Sequence, residues 1–329
     1  MTGNHQSRDF LRRCVCRGTF AVSCLLAWGG GAHAGMCSAP WPEVKPVLES
    51  AIGYGDATKK SDPFVTLTTR GRRVRLLLDT GSNAHVIWDK RLLADPAAES
   101  GNADTSRQSD ARADGAEAGE TLHAIASSTH ARPAALDLVD MQGNRVTQQF
   151  YVIDATPLMA DGFSGILSPQ YLAQEKVSII DFKRDCFFVS ERFDPEANGQ
   201  FSLSSGGTLP NPYRVMAIPL GVAGARVPVV VDSGAPFTKL LAAVIERSPA
   251  GPRLPMNIDL LGNPIASDER TRLVDLTING ETVKRHPVMT AATLSDKGIV
   301  SMGAIGMDLL RDRVLFHDDD RHRFVFLEQ

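Results

Sequence analysis

Two short motifs in this chain each place an aspartate directly after a hydrophobic run. The first, Asp79-Thr80-Gly81-Ser82, follows three leucines, and the second, Asp232-Ser233-Gly234-Ala235, follows three valines. A carboxylate at the end of a buried strand is costly unless hydrogen bonds hold it. A glycine lets the chain turn tightly enough to bring backbone N–H groups to that carboxylate. Each motif therefore indicates an acidic side chain held in a partly buried turn.

The chemistry changes if the two aspartates meet. Two carboxyls about 3 Å apart cannot both ionise, so one pKa rises and the pair shares a proton. Such a pair supplies a general base and a general acid around one water molecule. The hydroxyls of Thr80 and Ser233 are placed to hydrogen-bond across to the opposite turn. The residue types thus favour hydrolysis by an activated water at Asp79 and Asp232.

An internal repeat explains how the two motifs could meet. At an offset of 153 residues, the segment leading to Asp79 aligns without a gap on the segment leading to Asp232. At an offset of 137 residues, 177–181 aligns on 314–318. A period this long indicates two homologous lobes, because solenoid repeats run only about 20–50 residues.

The hydrophobic pattern in both halves is typical of strands. Short runs of Val, Ile and Leu are separated by Gly, Asn and Pro, and the clearest hairpin is 276–283 around Asn279-Gly280. Helical signal is confined to short pieces, namely Ile87–Leu93, Pro169–Leu172, Leu240–Ile245 and Met307–Leu310. The sequence therefore predicts an all-β fold of two homologous β-barrel lobes with few short helices.

The N-terminus has the layout of an export signal. Four arginines precede an apolar run that ends near Trp28, and Ala32-His33-Ala34 follows it. This predicts a signal peptide over 1–34, cleaved near Ala34, and an exported protein that is periplasmic or secreted. An uncleaved anchor or a disordered N-terminus remains the alternative. No later stretch approaches the roughly 20 apolar residues of a membrane span, so no stable membrane insertion is expected.

Charge and composition narrow the class and the domain layout. The 329 residues carry 35 Lys+Arg and 38 Asp+Glu, a balance too close to neutral for a nucleic-acid binder. We expect an N-terminal tail over 35–62, a first lobe over 63–195, a linker over 196–212 and a second lobe over 213–329.

One segment of the first lobe differs from the rest in composition. The segment 95–120 contains no Val, Ile, Leu, Met, Phe, Trp, Tyr or Cys. Such a segment cannot offset its ordering entropy, which predicts a mobile solvated insertion, with a specificity loop as the alternative.

Together, the two motifs and two later hydrophobic-glycine elements resemble the aspartic peptidases. Those elements are Gly165-Ile166-Leu167 and Gly306-Met307-Asp308-Leu309-Leu310, and the resemblance covers roughly Phe64 to Leu327. The residues after the first motif and the alanine at 235 are more similar to retropepsin-like bacterial lobes. The presence of both motifs in one chain is pepsin-like. The resemblance implies a bilobal acid-protease fold, no cofactor, no metal, a peptide or protein substrate, and a monomer.

The resemblance also implies a role for each motif residue. Asp79 and Asp232 are the expected catalytic pair, and the residues expected to support their loops are Thr80, Gly81, Ser82, Ser233, Gly234 and Ala235. Ser82 can donate a hydrogen bond to Asp79, whereas Ala235 cannot donate to Asp232, so Asp79 is expected to be the more acidic partner. Ser128 and Thr129 are assigned to a substrate-covering flap within 121–136, with a second-lobe counterpart at Gly262 and Asn263.

Two features leave alternatives open. Pepsins carry a flap tyrosine, but this chain has no tyrosine between Tyr54 and Tyr151. On the strength of the two motifs, an exported aspartic endopeptidase is the first hypothesis. Because of the missing tyrosine, the alternatives are a catalytically weak peptide-binding or chaperone-like module, and a self-processing or narrowly specific peptidase.

Beyond residue 34 only Cys37 and Cys186 remain, and they either form a disulfide or stay as two thiols. Two cysteines lack the spacing of a zinc site.

Overall fold

The computed structural model describes residues 37–93, 120–123, 128–173, 175–195, 203–208, 215–255, 258–259, 261, 263–264, 270–291 and 301–327. The predicted signal peptide, nearly all of the insertion 95–120, most of the predicted linker, and Gly262 lie outside these residues. Within the described ranges, no helix is long and apolar enough to cross a membrane.

Strands dominate both halves of the described chain. The strands of the first half are β1 (Pro46–Asp56), β2 (Ser61–Thr69), β3 (Arg72–Leu78), β4 (His85–Ile87), β5 (Glu120–His123), β6 (Ser128–Val139), β7 (Arg145–Val152), β8 (Gly165–Leu167), β9 (Val177–Asp181) and β10 (Cys186–Ser190). Those of the second half are β11 (Leu203–Thr208), β12 (Met216–Val222), β13 (Ala225–Val231), β14 (Lys239–Leu241), β15 (Arg272–Ile278), β16 (Glu281–Ala291), β17 (Gly303–Ile305), β18 (Val314–Asp318) and β19 (Arg323–Leu327). The α-helices are α1 (Pro169–Ala173), α2 (Ala242–Ile245) and α3 (Met307–Leu310).

The first lobe is a closed barrel. Its strands follow each other around the barrel in the order β2, β3, β8, β4, β7, β6, and a contact between Thr68 of β2 and Val139 of β6 closes it. Along β2, every second residue from Ser61 is buried, as expected where one face of a strand packs on a core. The pairs β3–β8 and β4–β7 are parallel.

The second lobe repeats this barrel strand for strand. Its order is β12, β13, β17, β14, β16, β15, and β15 pairs with β12 to close it. The pairs β13–β17 and β14–β16 are again parallel. The repeat found in the sequence is thus a structural repeat. The prediction of an all-β fold with two homologous barrel lobes and few short helices is confirmed.

An antiparallel sheet joins the two lobes in the order β1, β10, β9, β18, β19, β11. At its centre Ile179 of β9 pairs with Phe316 of β18, which is its own equivalent at the 137-residue offset. A residue that pairs with its own repeat places the pseudo-two-fold axis between those two strands. Both strands are buried along their full length, so the axis passes through the core.

Parts of the expected N-terminal tail and of the expected linker form strands, namely β1 and β11. Residues 46–51 of β1 pair with β10, and residues 52–56 pair with β2, so the tail belongs to two sheets. The expected lobe boundary at residue 63 falls inside β2, and the expected linker contains β11. The sequence of β11, Leu-Ser-Ser-Gly-Gly-Thr, has no alternating apolar pattern from which a strand could be predicted. The strand is held by backbone pairing with β19.

Local turns and short helices mostly follow their sequence signals. Asn279 and Gly280 both have positive φ angles, 56° and 81°, and connect β15 to β16 as a tight hairpin turn. The helix expected over Ile87–Leu93 is reduced to a 3-10 turn at Lys90–Leu92. The reason is that the residues before it, His85–Ile87, are taken up as strand β4 between β7 and β8.

A disulfide fastens the start of the described chain to the joining sheet. Cys37 is bonded to Cys186, the first residue of β10, with a Cα–Cα distance of 5.7 Å and a separation of 149 residues. Beside it, Trp41 and Val44 are buried in the apolar cluster that includes Phe188 and Phe316. Of the two alternatives that the sequence left open, the structure contains the bridge.

Removing this bridge should lower stability. Replacing both cysteines by serine is expected to reduce the free energy of unfolding by about 3–5 kcal/mol, because a loop of this length restricts the unfolded chain strongly. Urea denaturation of the double variant and of the wild type, each with and without reductant, checks this. Reductant should lower the midpoint of the wild type alone, and a wild type indifferent to reductant would contradict the bridge.

Candidate active site

The two aspartates occupy equivalent places at the ends of equivalent strands. Asp79 follows β3 directly, and its backbone N–H donates to the carbonyl of Leu167 in β8 at 3.0 Å. Asp232 follows β13, and its N–H donates to the carbonyl of Ile305 in β17, also at 3.0 Å. The parallel strand pairs of the two barrels therefore fix both backbones in the same way.

Reciprocal hydrogen bonds between Thr80 and Ser233 lock the two turns together. The N–H of Thr80 donates to Ser233 Oγ at 3.0 Å, and the N–H of Ser233 donates to Thr80 Oγ1 at 2.9 Å. Each hydroxyl then donates across the axis, Thr80 Oγ1 to the carbonyl of Val231 at 2.8 Å and Ser233 Oγ to that of Leu78 at 2.6 Å. Both side chains are fully buried, so all four bonds are shielded from water.

The glycines allow the carboxyls to meet. A Cβ atom on Gly81 would lie 2.7 Å from Oδ1 of Asp232, and one on Gly234 would lie 2.7 Å from Cγ of Asp79. Each glycine thus packs against the carboxyl of the opposite lobe, where no other side chain fits. The two carboxyls are hydrogen-bonded to each other. The structure brings Asp79 and Asp232 together at the interface of the lobes.

The surroundings of Asp79 favour a retained proton. Burial, followed by the charge of Asp232, raises the pKa of Asp79 to about 7. The backbone N–H groups of Gly81 and Ser82 donate to its Oδ1 at 2.8 and 3.1 Å and oppose this rise. The increase prevails mainly because burial disfavours the charged carboxylate, and the adjacent charge of Asp232 adds to it. The pair is therefore able to hold one proton up to near-neutral pH.

The hydrogen bond from Ser82 to Asp79, on which the expected asymmetry between the two motifs relied, is not the one that the Ser82 hydroxyl makes. The hydroxyl of Ser82 donates to the carbonyl of Ala84 at 2.8 Å rather than to Asp79. That hydroxyl therefore does not hold the Asp79 carboxyl, whose pKa is raised by burial and by the charge of Asp232. In the second motif Ala235 is buried, and its N–H donates to the backbone carbonyl of Asp232 at 3.2 Å.

Side chains that the sequence analysis missed brace the first turn from behind. Gln170 of α1 donates through Nε2 to the carbonyls of Thr80 and Ser82 at 3.1 and 2.7 Å. Ser168 Oγ donates to the carbonyl of Ser82 at 2.8 Å. These residues sit beside the Gly165-Ile166-Leu167 element, and that proximity was the available signal.

The second lobe has a corresponding brace built from other residues. Asp308 of α3 accepts the N–H of Thr238 at 2.9 Å and its hydroxyl at 2.7 Å. His286 of β16 lies 2.9 Å from the same carboxylate through Nε2. A carboxylate here and an amide in the first lobe thus occupy equivalent positions behind the two turns.

The residues assigned to the flap lie in a hairpin. Strand β5 pairs with the start of β6, where Leu122 faces Thr129 and Ser128 faces His123. The connecting residues 124–127 lie outside the described chain. In the second lobe Asn263 lies in a turn whose N–H groups, from Leu261 and Asn263, donate to Oδ1 of Asp259 at 3.0 and 2.8 Å.

An apolar cluster of the first lobe connects the flap hairpin and the second-lobe turn. Its buried members are Val86, Trp88, Ala131, Ile153, Phe163 and Ile166. Leu122 of the flap hairpin and Leu261 of the second lobe both pack against it. The second-lobe turn therefore reaches across to the first lobe and contacts the same apolar surface as the hairpin.

Within the part of the chain that the structure describes, no group of three or more His, Cys, Asp or Glu side chains is arranged to hold a metal ion.

Comparison with known proteins gives a likeness of fold alone. No family model and no curated protein matches the sequence. Among solved structures the chain is similar to conglutin gamma, a basic 7S globulin from lupine seeds, at 12% identity with a TM-score of 0.53. The match covers 87% of this chain and 96% of the globulin. At this identity the likeness supports a distant pepsin-like fold and transfers no activity.

The hydrogen bonds between the turns predict a measurable loss. Thr80→Val keeps the shape but leaves the N–H of Ser233 and the carbonyl of Val231 without their buried partner. We expect it to lower the free energy of unfolding by about 1–3 kcal/mol. Thr80→Ser, which keeps the hydroxyl, should stay close to the wild type. Equal losses in both variants on urea denaturation would show that the hydroxyl is not responsible.

The raised pKa of Asp79 predicts a gain in stability when its charge is removed. The unfolded chain ionises near its ordinary pKa of 3.8, so stability falls as the pH rises toward about 7. Asp79→Asn should therefore raise the free energy of unfolding by roughly 1–3 kcal/mol at pH 8, since a tenfold change in proton affinity is worth about 1.4 kcal/mol. The gain should shrink at pH 4.5.

A matched control for this gain is Asp154→Asn, because the side chain of Asp154 is 88% exposed and pairs only at the surface. Its effect should be near zero at both pH values. A gain in Asp79→Asn that does not depend on pH would contradict the raised pKa of Asp79.

Proposed function

We propose that this chain is an exported aspartic endopeptidase, which hydrolyses peptide bonds with a water activated by Asp79 and Asp232. The observation that carries the proposal is the contact of the two carboxyls across the axis, with the pKa of Asp79 raised to about 7. A purely structural pair gains nothing from this arrangement, since it destabilises the fold above that pH.

The proposed reaction needs only the groups present at the axis. The ionised carboxyl takes a proton from a water held between Asp79 and Asp232, and the water oxygen bonds to the peptide carbonyl carbon. The protonated carboxyl gives its proton to the carbonyl oxygen, which forms a gem-diol. The carboxyl that took the proton from water then gives it to the amide nitrogen. The C–N bond breaks as one gem-diol hydroxyl passes its proton to the other carboxyl, so the pair again holds one proton, as at the start.

The surrounding surface supports a peptide substrate in an extended conformation. The hairpin β5–β6 carries Ser128 and Thr129, whose backbone groups are suited to pairing with an added strand. The partly buried residues packed on the apolar cluster, such as Leu122 and Tyr151, would contact an apolar side chain next to the cleaved bond. Both aspartates belong to one chain, so a monomer suffices.

Export is part of the same proposal. It rests on the basic and apolar pattern of 1–34, and the disulfide between Cys37 and Cys186 is of the kind that persists in oxidising compartments. The location that we propose is the periplasm or the medium.

One observation favours a second candidate, a peptide-binding module with weak or narrowly specific hydrolysis. Leu261 of the second lobe packs against the apolar cluster that a substrate side chain would use. A turn in that place restricts which side chains enter. Binding without general cleavage would follow if the turn stays in place.

Digestion of an unfolded polypeptide between pH 3 and 8 tests the proposal. We expect cleavage that falls as the pH passes about 7, because the pair must keep its proton, and that is lost in Asp79→Asn and in Asp232→Asn. Asp154→Asn serves as the exposed control and should retain full activity. Cleavage unaffected by either catalytic variant would refute the peptidase, and saturable peptide binding without cleavage would favour the binding module.

A further inference from the structure

A buried histidine lies behind the catalytic turn of the first lobe. His85, the first residue of β4, is 3% exposed, and its ring lies against that of Phe150 with 5.1 Å between centroids. Its Nδ1 accepts the backbone N–H of Ser168 at 3.1 Å. Accepting this bond requires a free lone pair on Nδ1, so the imidazole is neutral with its proton on Nε2.

The residue that His85 holds is part of the brace on the catalytic turn. Ser168 donates through Oγ to the carbonyl of Ser82 at 2.8 Å, and the N–H of Ser82 donates to Oδ1 of Asp79 at 3.1 Å. Gln170, two residues further on, binds the carbonyls of the same turn. A continuous set of hydrogen bonds thus runs from the imidazole to the carboxyl of Asp79.

In the second lobe the equivalent backbone N–H is accepted by a hydroxyl, which does not titrate in this pH range. Thr238 lies six residues after Asp232, as His85 lies six residues after Asp79. Its Oγ1 accepts the N–H of Gly306, which precedes α3 as Ser168 precedes α1, at 3.2 Å. An acceptor at this position is therefore a requirement of both lobes, and only the first lobe meets it with an imidazole.

We propose that His85 is a positioning residue for Asp79, and that its protonation in acid releases Ser168 and inactivates the catalytic turn. This rests on the proposed peptidase function. A protonated ring carries N–H donors on both nitrogens, so Nδ1 would face the N–H of Ser168 with no acceptor between them. The brace would then lose its first hydrogen bond and gain a buried charge.

The surroundings of the ring keep it neutral until the medium is strongly acidic. Burial lowers the pKa of His85 to about 4, partly offset by a hydrogen bond with Gln148. The groups that face the ring are the uncharged side chain of Gln148 and the phenyl ring of Phe150 from β7, and the amide of Ser168. Among the described residues, no charged group contributes to the shift. The neutral form is present above about pH 4 and is lost below it.

Two variants separate the acceptor from the bulk of the side chain. His85→Asn places an amide oxygen where Nδ1 lies and cannot be protonated, whereas His85→Leu has similar volume and no acceptor. We expect kcat of His85→Asn to persist in acid, with about a tenfold advantage over the wild type one pH unit below the wild-type midpoint. We expect His85→Leu to lose kcat about tenfold above pH 4, where the wild type keeps its acceptor, with KM nearly unchanged, and to approach the wild type in stronger acid. An acid limb in His85→Asn identical to that of the wild type would overturn the proposal.

A second readout does not need activity, so failure of the peptidase function and failure of this proposal remain distinguishable. In a background of Asp79→Asn and Asp232→Asn, which removes the titration of the pair, the amide NMR signals of Ser168 and Ser82 are followed from pH 6 to 3. They should move with a midpoint near pH 4 when His85 is present and stay in place in His85→Asn. Signals that do not move with His85 present would refute the proposal, even for a protein that cleaves peptides.

Discussion

The exchange of hydrogen bonds between Thr80 and Ser233 is the constraint on which the site depends. It brings two turns from separate barrels to one axis and buries four hydrogen bonds there. The carboxyls of Asp79 and Asp232 meet because these turns are locked, and because Gly81 and Gly234 leave room for the carboxyl of the opposite lobe. The sheet that joins the lobes supports the same axis through Ile179 and Phe316. The hydrogen bonds between the turns and the pairing of β9 with β18 therefore lie on the same pseudo-two-fold axis.

The two lobes differ in the side chains that lie behind the two aspartate turns, and these differences set how each turn responds to pH. Behind the first turn lie His85 and Gln170, and behind the second lie Thr238 and Asp308. The backbone positions are equivalent, but the side chains differ in charge and in their response to pH. Burial has opposite consequences for the two titrating groups of the first lobe, because it disfavours the charged form of each. Asp79 keeps its proton toward neutral pH, while His85 stays neutral into acid, and together they define a weakly acidic range.

The sequence predicted the fold class and the meeting of Asp79 and Asp232 because both leave local signals that repeat. The two motifs share their spacing, and the Asn279-Gly280 turn has a residue pattern tied to its backbone angles. What it could not predict depends on contacts between distant residues. Strand β11, which has little apolar signal of its own, is held by backbone pairing with β19. The Ser82 hydroxyl is a separate case, because the residue types do not determine that it donates to the nearby carbonyl of Ala84 rather than to Asp79. His85 carried no pattern of its own, since its role depends on the backbone N–H of Ser168, 83 residues later.

The central claim is that Asp79 and Asp232 share a proton, and carboxyl NMR tests it most directly. In protein labelled with ¹³C at the aspartate carboxyls, the signal of Asp79 is followed from pH 3 to 9 in the wild type and in Asp232→Asn. The account predicts an apparent step near pH 7 in the wild type, and a shift of that step to lower pH when the neighbouring charge is removed. An Asp79 signal that titrates near its ordinary value of about 4 in both proteins would contradict it.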